Sequence, residues 1–103
     1  MLYTLNWSER AVTNLNTIKS YIAENSLSNA NKVVNELLDY AEELKKFPLI
    51  GPVISELSDR KLRQLVKYSY RIVYLIEGNV ITIVAVIHVR QNITAQFINN
   101  SRY

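Results

Sequence analysis

The sequence contains no cysteine, which excludes disulfide scaffolds, thiol catalysis, zinc fingers and iron–sulfur clusters. Its one histidine stands without an HExxH or catalytic-triad signature, and its two glycines form no phosphate-cradling loop. No apolar run approaches the roughly 18 residues of a membrane span. The start, MLYTLNWSER, also lacks the basic and apolar regions of a secretion signal. A soluble cytoplasmic protein with no metal and no cofactor is the expectation.

What is present suits one domain over residues 1–103: 49% of the chain is hydrophobic and 20% charged, enough to bury a core unaided. Residues 91–103, QNITAQFINNSRY, read as a short helical end or a flexible tail. The net charge of +3 is unevenly spread, with five Lys/Arg against eight Asp/Glu in residues 1–59 and seven against one in residues 60–103. A basic C-terminal part fits an anionic partner such as RNA, DNA or an acidic protein segment. It equally fits a solvated edge that keeps strands from aggregating.

MLYTLNW alternates and predicts a short strand, with Trp7 as a core anchor. Asn6 or Ser8 can cap a helix with Ala11, Leu15, Ile18 and Ile22 on one face, ending near Asn25. Ser26 or Ser28 opens a second helix whose stripe is Ala30, Val33, Val34, Leu37, Leu38, Ala41 and Leu44. Pro48 stops it by driving the preceding residue out of helical geometry. FPLIGPV, residues 47–53, is a rigid turn, and RKLRQLV, residues 60–66, a further strand. YRIVYLIEGNVITIVAVIHVR, residues 70–90, is a β-hairpin turning tightly at Gly78-Asn79, of type II′ or I′.

A two-residue loop at Gly78-Asn79 would oppose Tyr70 to Ile87, Ile72 to Ala85, Tyr74 to Ile83 and Ile76 to Ile81, an apolar face for the helices to cover. The reverse face then carries Arg71, His88 and Arg90 close together. Arg63 joins them if the preceding connection sets it opposite Arg71; another register sets Gln64 there. Each of these residues alone is more often an ordinary surface side chain. Together they suit binding of an anion, with Arg71 and Arg90 stabilising a charged phosphorus centre and His88 moving a proton if the substrate's own 2′-hydroxyl attacks.

Strand, two helices, Phe47-Pro48 with Gly51, Arg63, YRIVY at 70–74 and VIHVR at 86–90, in that order over about residues 3–92, resemble the RelE/ParE toxin superfamily of type II toxin–antitoxin systems. The resemblance implies an α+β fold, with two N-terminal helices in a hairpin packed on a small antiparallel sheet. It also implies a cognate antitoxin whose flexible C-terminal segment wraps the toxin. RelE-like members cleave messenger RNA on the ribosome with basic residues of the sheet, matched here by Arg71 and Arg90; ParE-like members inhibit DNA gyrase.

The chain departs from the RelE pattern. Leu62 and Gln64 stand where paired lysines belong, with Lys61 and Arg63 out of register, and Tyr103 is the one candidate for a terminal catalytic tyrosine. The long helical hairpin, Pro48-x-x-Gly51 and His88-x-Arg90 look more like ParE. The expectation is therefore a ParE-like growth-inhibiting toxin that contacts DNA gyrase. The alternative is a ribosome-dependent endoribonuclease using Arg63, Arg71, His88 and Arg90. A third reading is a non-toxic RNA-binding or interaction module.

Overall fold

Strand β1 (Thr4–Trp7) runs almost directly into helix α1 (Glu9–Ala23) in the computed structural model, which describes residues 2–57 and 61–93. Of the two possible caps, Ser8 is used: its hydroxyl accepts from the Ala11 amide at 3.1 Å, satisfying one of the first turn's orphan donors. Ser26 does the same for Asn29 at the start of helix α2 (Leu27–Glu42), also at 3.1 Å. A 3-10 turn, Glu43–Lys45, ends the helical run just before Pro48.

The expected stripes face inward. Ala11, Leu15 and Ile18 of α1 and Ala30, Val33, Leu37 and Ala41 of α2 are buried with Leu44, while Ile22 and Leu38 pack at the margin. Trp7 is partly buried against the same cluster. Each fully buried aliphatic side chain contributes on the order of 1.5–3 kcal/mol, so this face dominates the docking of the helices.

Strands β2 (Arg63–Lys67), β3 (Tyr70–Glu77) and β4 (Val80–His88) complete a sheet of order β1-β4-β3-β2. β1 lies parallel to β4, from Thr4↔Val80 to Trp7↔Ile83, so the sheet is mixed rather than wholly antiparallel. Alternation specifies a strand and its inward side, but says nothing about the direction of a partner so far along the chain.

The β3–β4 turn is of the II′ kind, since Gly78 has φ 61° and Asn79 has no positive φ. The β2–β3 turn is Tyr68-Ser69, with Lys67 facing Tyr70 and Val66 facing Arg71. Neither Arg63 nor Gln64 stands opposite Arg71, because the connection is centred further along the chain than either register required.

The hairpin register holds only next to its turn. Tyr74↔Ile83 and Ile76↔Ile81 are as expected, but Val73 then faces Ala85, leaving Val84 as an extra residue. Beyond this bulge, Ile72 faces Val86, Arg71 faces Ile87 and Tyr70 faces His88. One inserted residue reverses the side to which every later side chain points.

The sheet is also covered twice. Leu65, Ile72, Tyr74, Ile81, Ile83 and Val86 meet the helices. Val73, Leu75, Val84, Ala85 and Ile87 form a second core on the reverse face with Ile54, Leu57, Leu62 and Ile93. The reverse face is thus not the open basic surface expected, because Ile54, Leu57 and Leu62 pack across it. Ile93 also packs there, so the start of the segment 91–103 is anchored; Tyr103 and the rest of that segment from residue 94 lie outside the described residues.

Candidate functional site

The Val84 bulge decides where the predicted site residues stand. Arg71 lies on the reverse face, where its guanidinium donates to Gln64 Oε1 at 3.1 Å and to Glu56 Oε2 at 3.5 Å. His88 lies on the helix side, its ring edge-on to Tyr70 with centroids 5.6 Å apart and planes at 85°. The expected convergence of Arg71, His88 and Arg90 on one face does not occur.

Arg63 shares the helix side with Tyr74, which it faces across β2 and β3. It is committed to the loop between Pro48 and Gly51, donating to the Gly51 carbonyl at 2.8 Å. The Tyr74 hydroxyl donates to the Pro48 carbonyl at 2.8 Å and accepts from the Gly51 amide at 3.0 Å. Burial pushes this phenol above the ordinary tyrosine value of 10.0, although the Gly51 bond and the Arg63 charge pull the other way. A Cβ on Gly51 would collide with the Gln64 carbonyl oxygen and stand 2.7 Å from the Tyr74 hydroxyl, so the close approach requires glycine. Pro48-x-x-Gly51 is therefore a loop latched onto the sheet. It presents Phe47, Leu49 and Ile50 to solvent, each more than half exposed.

At the end of β4, His88 Nδ1 accepts from the Arg90 amide at 3.0 Å, which makes Nε2 the protonated nitrogen of the neutral ring. The His88 amide donates to Gln91 Oε1 at 2.8 Å, and Arg90 itself is exposed. A cleft of about 620 Å³ opens beside them between α1 and the sheet, with Asn14, Tyr21, Tyr70, Val86, His88 and Gln91 among its walls. Asn14 Oδ1 accepts from the Val86 amide at 3.0 Å, closing the β4 edge beyond the end of β1.

A phosphodiester cleavage site needs cations and a proton donor around one phosphate. Here Arg63 is spent on a carbonyl, Arg71 and His88 are separated by the sheet, and Arg90 stands outside the strands. The arrangement is better suited to presenting surfaces than to gathering groups on a substrate. Residue pattern alone missed the latch: Tyr74 reads as one more apolar-face aromatic, and only a hydroxyl opposite Arg63 in the β2 register could have signalled it.

The family model described as "ParE toxin of type II toxin-antitoxin system, parDE" matches residues 5–93. The chain belongs to the ParE toxin family. No curated protein matches this ParE-family chain in sequence. Among solved structures, it superposes with TM-score 0.71 on a chain of the chromosomal ParDE toxin–antitoxin system from P. aeruginosa, at 18% identity over 84% of this chain and 96% of that one. It superposes with TM-score 0.67 on a chain of the RelBE2 toxin–antitoxin complex from Mycobacterium tuberculosis, at 17% identity over 85% and 99%. At these identities the likeness is one of fold, shared across both branches. The ParE family model covers β1 through Ile93, the span that includes both cores and the latched loop. Among the described residues no helix is long and apolar enough to cross a membrane, and no cluster of His, Cys, Asp or Glu could hold a metal ion.

Proposed function

We propose that this ParE-family toxin acts in the cytoplasm by contacting DNA gyrase and is neutralised by a cognate antitoxin carrying an acidic segment. The observation that carries the reading is the placement of Arg71 and His88 on opposite faces of one sheet, which denies them a common phosphate. Arg90, exposed just beyond β4, is the predicted site residue left for contact with a target, with His88 holding its turn; Arg63 and Arg71 serve the fold. An acidic antitoxin segment matches the seven Lys/Arg against one Asp/Glu of residues 60–103.

Purified protein tests this directly. Inhibition of gyrase supercoiling with ribosome-bound messenger RNA left intact is the expected result. Cleavage of that RNA without gyrase inhibition would replace the reading by the endoribonuclease one, and neither activity would leave a non-toxic interaction module. A co-purified antitoxin that touched only the acidic helices would contradict the charge argument.

A further inference from the structure

Strand β1 stops opposite Ile83, and further along β4 three alternate amides are met by side chains instead of a strand. Asn14 Oδ1 accepts from Val86 at 3.0 Å, Gln91 Oε1 from His88 at 2.8 Å, and His88 Nδ1 from Arg90 at 3.0 Å. Asparagine, glutamine and neutral histidine each carry one acceptor atom and one donor nitrogen, and in all three the acceptor is the atom spent. The amide nitrogens of Asn14 and Gln91 and the Nε2–H of His88 have no hydrogen-bond partner among the described residues.

These three side chains all line the cleft between α1 and the sheet. Ile18, Val33 and Val86, each buried, give it an apolar floor, and Tyr21 and Tyr70 add aromatic walls. No Lys, Arg, Asp or Glu is among its lining residues. Its volume of about 620 Å³ is that of a small-molecule site, where an apolar surface holds the body of a ligand and a few polar groups fix its orientation. With their acceptors committed to the backbone, Asn14, His88 and Gln91 offer hydrogen atoms only. An ammonium group would find no lone pair on them, and a phosphate would lack the Arg or Lys fork it favours. A carboxylate, with two acceptor oxygens and a single charge, suits such neutral donors.

We infer that this cleft binds a small aromatic carboxylate, its ring lying on the apolar floor and its two oxygens accepting from the N–H groups of Asn14, His88 and Gln91. The inference is independent of which target the toxin meets.

The test uses the full chain and indole-3-acetate, followed by NMR through the side-chain amide signals of Asn14 and Gln91. Saturable shifts of both signals, with a Kd of roughly 1 mM or tighter, are the expected result. Indole-3-acetamide, which keeps the ring and removes the charge, should bind about tenfold or more weakly, because hydrogen bonds to an ionised acceptor are the stronger ones. Gln91→Glu and Asn14→Asp each keep an oxygen for the backbone amide and exchange the donor nitrogen for a second oxygen. Each should weaken indole-3-acetate by about tenfold or more while the His88 and Val86 amide signals stay in place. The acetamide comparison needs no variant to fold. The inference is overturned by no binding, by shifts that spare Asn14 and Gln91, by undiminished affinity in the two variants, or by equal affinity for the acetamide, which would make the cleft an apolar groove for a partner's side chains instead.

Discussion

The Ser8 hydroxyl donates to the carbonyl of Val84 at 2.8 Å while accepting from the Ala11 amide at 3.1 Å. The Ser8 amide also donates to Ile83 at 2.9 Å. One residue thus starts α1, ends the pairing of β1 with β4, and satisfies the carbonyl that the bulge leaves outside the ladder.

Ser8→Ala should therefore cost more than an ordinary cap. Ser26→Ala, which removes the cap of α2, is expected to lose about 1 kcal/mol, and Ser8→Ala about 2–3 kcal/mol because a part-buried carbonyl is left unpaired as well. Urea unfolding of the two variants measures both; equal losses would show that the Val84 bond contributes nothing.

Removing the Tyr74 hydroxyl should release the latched loop. Tyr74→Phe keeps the ring but strands the Pro48 carbonyl and the Gly51 amide, for an expected loss of about 1–3 kcal/mol. Limited proteolysis is then expected to cut between residues 47 and 52 faster than in the parent. Protection equal to the parent's would mean that Arg63 holds the loop alone.

The same hydroxyl gives a pH signature. Tyr74 titrates above 10.0 in the folded protein, so the folded state holds its proton more tightly than the unfolded chain does. The associated stability is complete below the unfolded value and is lost as pH rises through the folded one. Stability measured across the alkaline range should fall less steeply in Tyr74→Phe than in the parent. Tyr70, raised chiefly by its burial, leaves a residual slope.

Tyr68 occupies the left-handed region, with φ 57°, where a bulky side chain is strained. Tyr68→Asn should stabilise by roughly 0.5–1 kcal/mol, since asparagine tolerates that conformation. A loss of stability instead would mean that the contact with Lys67 outweighs the strain.

His88→Ala separates the two activities. Gyrase inhibition should change little, beyond what the loosened turn at residues 88–91 explains. An endoribonuclease that used this imidazole would slow by roughly 10²-fold or more.

Local devices were legible before the fold was known. Serine caps, the four-three-four spacing, Pro48 and Gly78 each act on their own neighbours, and each is found where its chemistry puts it. The partner of β1 and the cover of the reverse face were not legible, because they join residues far apart in the chain. The bulge was hidden for another reason. IVAV, residues 83–86, is apolar and buried on both sides of the sheet, so no misplaced polar residue marks the slip. The slip moves His88 to the helix side, while Arg71 stays on the side expected of it.

That extra residue makes surface identity along the end of β4 a matter of parity. Deleting the Val84 codon would leave Ile72 facing Val86, Arg71 facing Ile87 and Tyr70 facing His88, and so keep His88 on the helix side; drawing the same residues into a regular ladder would instead send it to the side of Arg71. Two chains could share every residue of this strand, differ only in whether the bulge forms, and present opposite chemistry at its end. For chains of this fold, the presence of the bulge in β4 therefore carries more functional weight than several substitutions around it.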